Sequence, residues 1–342
     1  MQPMGSGAVA GFRAWGGPFR SPVAGLKAIN RELGERWLNR VMEDFDFETW
    51  HGAEPAWGRL LGGLAPAQDW SMQADFAWGR IAEGAGRGLR RFVLRRDGAP
   101  IAAAQIVGRW GLWLASRGVV VAPGLPAETE VALLRGLARR VPGVLVATPD
   151  RPLAGRGLLP LVTARHHALW SLAPEPGALR AGLEQKWRNR LAQAERAGLV
   201  IERREDPGVV LAREAAQQKA RGYRALPPDF VRAWEIARPG ALLCLTARAG
   251  QGGIVAGVVF LRHGAAASYH AGWTSEEGRR LGAHNLLLWQ TALRLRQAGA
   301  RVLDLGDIDS QAGAGRMRFK LGTGAVARSL GATTLVLPQL TR

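Results

Sequence analysis

The sequence predicts a protein of two α/β domains in tandem, each built on a mixed central sheet. Three observations predict it. An order of strands, helix and strand occurs twice along the chain; 342 residues with 47% hydrophobic content can fill two cores; and no apolar run approaches the length of a membrane span. The N-terminus also lacks the basic, apolar and small-residue order of a signal peptide, so a cytoplasmic protein is expected.

Residues 1–45 form the first segment, a basic extension in which "FRAWGGPFRSP" mixes aromatics and arginines without period, followed by a short helix in "INRELGERWLNRVMED". Residues 46–173 form the first α/β domain. "RRFVLRR" (90–96) and "PIAAAQIVG" (100–108) read as strands joined by a turn at "DGA", and "GLWLASRGVVVAP" as a third strand. Val131, Leu134 and Leu137 give the segment 128–141 helical spacing, and "GVLVATP" supplies another strand.

Residues 174–342 form the second domain and repeat this order. It opens with a helix whose stripe of Leu179, Leu183, Trp187, Leu191 and Ala194 packs, leaving Lys186, Asn189, Gln193 and Arg196 on the other side. "ALLCLTARA", "GIVAGVVFLRHG" and "AAASYHAGW" are three strands. "HNLLLWQTALRLRQAG" is a helix stopped by Gly299, and "RVLDLGDID" is a strand entering a loop.

Composition narrows the function. A formal net charge of +18 attracts polyanions. The single Cys244 excludes an internal disulfide and a cysteine metal cluster, and it reads as a core residue. His166 and His167 point to opposite faces of a strand and the other histidines lack ligand spacing, so no metal site is expected. No nucleophile elbow or Walker loop occurs. Asp304, Asp307 and Asp309 follow a strand in "DLGDIDS"; Asp307 is taken as a candidate proton acceptor, with a turn or helix cap as the plainer role. Only four of the 46 basic residues Lys plus Arg are lysines, and one, Lys320, stands in "RMRFKLGTGA". By its residues alone it could be a surface lysine at a helix C-terminus before a glycine cap.

Two resemblances sharpen this. "RRLGAH" (279–284), between a strand and a helix, resembles the pyrophosphate loop of the GNAT acyltransferases: Arg279 and Gly282 match, and His284 stands where the family has a small residue. "KWRNRLAQAERAGLVIE", "GAHNLLLWQTALRLRQAGARVLDLGDID" with "RFKLGTGA", and "MQADFAWGRIAEG" resemble segments of the Fem-type aminoacyl transferases over about residues 70–340. That family implies two GNAT-like domains and transfer of an amino acid from aminoacyl-tRNA to an amine of a peptidoglycan precursor or similar acceptor. It implies no tightly bound cofactor, tRNA rather than DNA as the nucleic-acid partner, and room for peripheral inner-membrane contact.

Carried residue by residue, the resemblance makes Phe319 and Lys320 the catalytic pair, the lysine facing the oxyanion of ester aminolysis. Arg188 and Arg190 would hold phosphates, Tyr269 the acceptor. The chain departs from the family at Thr323, where an aromatic is usual, at Asp307, near which a glycine is usual, and in lacking a long helical-hairpin insertion. Two other readings stand beside it: an acyl-coenzyme A-dependent GNAT enzyme acting on a polysaccharide or lipid amine, using Arg279 and Gly282, and a non-catalytic RNA-binding protein on the same scaffold.

Overall fold

The computed structural model describes residues 45–221, 226–250, 252–308 and 313–338. The N-terminal arm, Phe45 apart, and Asp309 lie outside the described residues.

The first half runs β1 (Asp46–Thr49), α1 (Glu54–Leu64), α2 (Phe76–Gly84), β2 (Gly88–Arg96), β3 (Ala99–Arg109), β4 (Leu112–Ser116), β5 (Val119–Val121), α3 (Ala127–Ala138), β6 (Val144–Thr148) and β7 (Leu158–Val162). Asp97 and Gly98, at φ 51° and 77°, close the expected hairpin between β2 and β3 with two left-handed residues, which is why Asp-Gly stands there. The run read as one third strand is instead two, β4 and β5. Arg117 breaks it with a left-handed backbone at φ 54°, and Gly118 follows where a Cβ would fall 2.3 Å from the Gln105 carbonyl oxygen.

The second half runs β8 (His166–Ser171), α4 (Pro176–Ala181), α5 (Gln185–Arg196), β9 (Leu199–Arg204), α6 (Gly208–Arg221), α7 (Pro228–Ala237), β10 (Leu242–Ala249), β11 (Ile254–His263), β12 (Ala266–Thr274), α8 (Glu276–Leu281), α9 (Ala283–Gln297), β13 (Val302–Ile308), α10 (Ala314–Leu321), β14 (Val326–Ser329) and β15 (Thr333–Val336). The stripe from Leu179 to Ala194 is buried as expected, but on two helices. Between them the Glu184 N–H leaves the helical pattern to donate to the Gly322 carbonyl. Helix α9 buries residues nearly all round, among them Leu286, Leu287, Leu288, Ala292 and Leu295. Such a helix belongs inside a domain.

Two sheets result. The first has the order β1-β2-β3-β4-β6-β15-β7 with β5 beside β3, and the second β14-β8-β13-β12-β11-β10-β9. Each is antiparallel except at one pair, β4 with β6 and β12 with β13, which a helical crossover makes parallel. The sheets divide the chain elsewhere than at the expected 173/174 junction. β8 pairs with β13 and β14 in the second sheet, while β15 returns to pair with β6 and β7 in the first. Strand patterning shows that "HHALWS" is extended; only pairing decides which sheet receives it.

Each sheet has its own core, one around Leu94, Ile106, Leu133 and Leu137, the other around Trp170, Leu191, Phe260 and Leu287. A third core joins the halves, setting Met72 and Ala77 against Val231, Trp234 and Val259. Full burial of each such aliphatic or aromatic side chain contributes about 1.5–3 kcal/mol. Among the described residues no helix is long and apolar enough to cross a membrane.

One buried polar cluster also bridges the halves. The Arg117 guanidinium donates to Asp150 at 2.6 Å and to Asp304 at 3.0 Å. Asp304 lies 2.9 Å from His167 Nδ1 and accepts the Gly306 N–H at 2.8 Å. Burial alone would raise the Asp304 pKa, but His167, Arg117 and the Gly306 N–H outweigh it and hold the carboxyl well below the usual range. Burial likewise works against the Arg117 charge and is outweighed by Asp150 and Asp304.

Removing one partner leaves a buried charge uncompensated. Arg117→Met should lower unfolding stability in urea by about 3–5 kcal/mol, and Arg117→Met with Asp304→Asn by less than the sum of the two single changes. Because the folded carboxyl is depressed, its contribution is present above the unfolded value of about 3.9 and lost as pH falls below it. Asp304→Asn should therefore flatten the acid limb of stability below about pH 4.

Candidate functional site

β12 and β13 pair only where Ala266–Ser268 face Val302–Asp304; beyond that point they separate. Two irregularities accompany the separation. The β11–β12 register shifts between Val259 and Phe260, and on β13 the pairing with β8 shifts between Asp304 and Asp307 around Gly306, at φ 76°. The gap opens a cleft of about 710 Å³ walled by β12, β13, the α8–α9 junction, α6 and α10.

Lys320 reaches this cleft from the last turn of α10, two residues before the cap at Gly322. The helix-terminal and the site-facing roles therefore coincide. Its Nζ donates to the Asp307 carbonyl at 2.7 Å. Burial pulls its pKa down to about 8; Asp304 and Asp307 oppose that fall and Arg316 adds to it. The group remains mostly protonated at neutral pH, yet gives up its charge far sooner than an exposed lysine.

Phe319 is a wedge. Its ring meets His284 edge-on at 5.4 Å and Trp187 at 5.9 Å, and its carbonyl accepts the Trp187 indole N–H at 3.0 Å. This contact ties α10 to α5 and fixes where Lys320 emerges. Asp307 contributes its carbonyl; its carboxylate, half exposed, lies 3.8 Å from Arg165. The more enclosed aspartate is Asp304, in the bridging cluster described above.

Tyr269 lines the cleft with its hydroxyl 3.2 Å from His284 Nε2. Gly272 makes the space: a Cβ there would fall 1.6 Å from that hydroxyl and 3.0 Å from the His284 ring. Burial lowers the His284 pKa to about 4, so the imidazole is neutral at pH 7. His284 and Gly272 were not read as site residues. The one available signal was that a ring stands at 284 where a small residue is usual.

The remaining candidates separate. Arg188 donates to the Ala181 and Leu183 carbonyls and to Gln185, closing the end of α4. Arg190 bonds Gln193 and the Arg279 carbonyl. Neither lines the cleft; the arginines that do are Arg165, Arg279 and Arg316. Arg316 precedes Lys320 by four residues, hence by one helical turn on the same face, a spacing legible in the sequence. "RRLGAH" is not a loop: Arg279 lies in α8, Gly282 turns in the left-handed region at φ 71°, and α9 starts at Ala283. The space beside Gly282 holds the Arg190 carbonyl and the Ala194 methyl at 3.1 and 3.2 Å from a Cβ position. Close approach of α5 accounts for that glycine.

Two mixed sheets, each with one parallel pair spanned by a crossover helix, define a tandem GNAT-fold protein. The family model for the GNAT acetyltransferase domain matches residues 179–321, the stretch that holds the cleft. The structure resembles that of FemX with a TM-score of 0.67 at 14% identity, covering 83% of this chain and 96% of that one. It also resembles a conserved protein of unknown function from Bacteroides thetaiotaomicron (TM-score 0.53, 10% identity, 85% and 100% covered). A tandem GNAT protein from the clavulanic acid biosynthesis pathway follows (TM-score 0.50, 15% identity, 87% and 100% covered). No curated relative matches in sequence. The fold expected from the sequence is the fold found.

The four lysines make the central group easy to observe. In protein labelled at lysine Cε, one of the NMR resonances should titrate near pH 8, well below the ordinary lysine range, and it should be the one missing from Lys320→Arg.

Proposed function

We propose that the protein is an acyl-transfer enzyme of the aminoacyl type, moving an amino acid from aminoacyl-tRNA to an amine of a peptidoglycan precursor or a similar acceptor. The observation that carries this reading is the Lys320 ammonium, held by the Asp307 carbonyl in a cleft whose other wall presents the Tyr269 hydroxyl. Attack by a neutral amine forms the C–N bond and moves the carbonyl electron pair onto oxygen. A compact ammonium placed where that charge develops lowers the barrier more effectively than a broad guanidinium. Collapse breaks the ester C–O bond. The nitrogen's proton passes to the departing ribose oxygen, and the Tyr269 hydroxyl, oriented by neutral His284, is the group that relays it.

Arg165, Arg279 and Arg316 at the cleft suit the phosphates next to that ester, and the net charge of +18 suits a polyanionic donor. The GNAT domain match favours a second reading, in which acyl-coenzyme A is the donor. Against it, His284 stands two residues beyond Gly282, where the family has a small residue, and its ring occupies the space beside Tyr269. Saturable binding of acetyl-coenzyme A in calorimetry, lost in Arg279→Ala, would promote that second reading.

With labelled aminoacyl-tRNA and candidate amines, Lys320→Ala should lose about 10²–10³-fold in kcat. Transfer undiminished in this variant would overturn the reading. The wild-type rate should fall as pH rises through about 8, where Lys320 loses its proton, and in Lys320→Arg that fall should move to higher pH. His284→Leu should lower kcat about 10-fold or more, with His284→Gln, whose amide reaches the same hydroxyl, partly restoring it.

A further inference from the structure

We propose that one end of the first sheet is a docking surface for an anionic lipid bilayer, with Trp110 as its inserted anchor. Trp110 is 77% exposed at the apex of the β3–β4 turn. It also holds a left-handed backbone at φ 52°, a conformation that bulky side chains adopt at a cost. The Arg109 guanidinium lies 4.1 Å from its ring centroid. Folding alone does not select a projecting indole.

The neighbouring turns complete the surface. The Val144 N–H donates to the Gly111 carbonyl, so the start of β6 abuts the Trp110 turn, and Val144 is itself 47% exposed. Arg139 ends α3 just before that point. Gly88 pairs with Gly108, which brings Arg87 beside Arg109, and Arg90 donates to the Arg140 carbonyl at 3.0 Å. None of Arg87, Arg90, Arg109 or Arg139 forms an ion pair with a carboxylate among the described residues. An indole and an aliphatic side chain at a protruding tip, ringed by uncompensated arginines, match the layering of a bilayer interface: apolar depth below, phosphate above. A single-stranded RNA would ask instead for a basic groove with several aromatic platforms.

This proposal is independent of the transfer chemistry, because none of these residues touches the cleft. The full chain is sedimented with phosphatidylglycerol-containing vesicles and with phosphatidylcholine vesicles. Binding is expected to the first only and to weaken with salt. Trp110→Asn, which keeps a residue tolerant of the left-handed backbone, should reduce partitioning about 10-fold. Arg109→Gln with Arg139→Gln should reduce it about 5-fold per arginine. Brominated acyl chains should quench tryptophan emission in the wild type and much less in Trp110→Asn. Absence of binding to anionic vesicles, or equal binding and quenching in Trp110→Asn, overturns the proposal. So does tRNA that displaces the protein from vesicles and binds Trp110→Asn more weakly, which would make the surface a nucleic-acid site.

Discussion

The bridge from Arg117 to Asp304 is the constraint on which the rest of the arrangement turns. A guanidinium from the first sheet sits between two carboxylates, Asp150 of its own half and Asp304 of the other. Burial penalises the Arg117 and Asp304 charges, and their mutual attraction, with Asp150, His167 and the Gly306 N–H, compensates. The exchange fixes more than stability. Arg117, whose left-handed backbone splits one extended run into two strands, reaches Asp304 from that break. Asp304 in turn holds β13 at the residue where β12 and β13 part company. The cleft therefore opens at a place clamped from the opposite domain.

The return of β15 to the first sheet reinforces that clamp. The links after β7 and after β14 both cross between sheets, and the Leu330 N–H donates to the Arg165 carbonyl where they pass. The first sheet is completed by β15 from the end of the chain, whereas the second is built from the consecutive strands β8–β14. With the shared core around Met72, Val231 and Trp234 and the Arg238–Asp75 ion pair at 2.5 Å, the two units support each other. The cleft of the second unit thus has walls whose positions depend on the first.

Within the cleft, charge and space are set by different devices. Burial makes the Lys320 ammonium easier to discharge, while Asp304 and Asp307 keep most of it protonated at neutral pH. Phe319, wedged between Trp187 and His284, decides where that ammonium emerges. Gly272 leaves the room in which Tyr269 meets His284. A cation, a neutral imidazole and a phenol end up around one opening.

The sequence by itself determined the local layers. Apolar runs with turn signals between them marked the β10, β11 and β12 strands, Gly299 marked the end of the helix over residues 284–297, and the turn at Asp97-Gly98 marked a hairpin. The scarcity of lysine picked out Lys320, and the resemblance in "RFKLGTGA" gave it a role. These signals survive because they rest on spacing along the chain. Tertiary structure decided which sheet receives β8 and β15, that Arg188 and Arg190 close helix ends while Arg165 and Arg316 face the cleft, and that Asp304 is the enclosed aspartate of its pair. It also joined His284 to Tyr269 across 15 residues. Those choices depend on partners distant in sequence, where the gain from pairing a strand edge or compensating a buried charge comes from surfaces that no local pattern records.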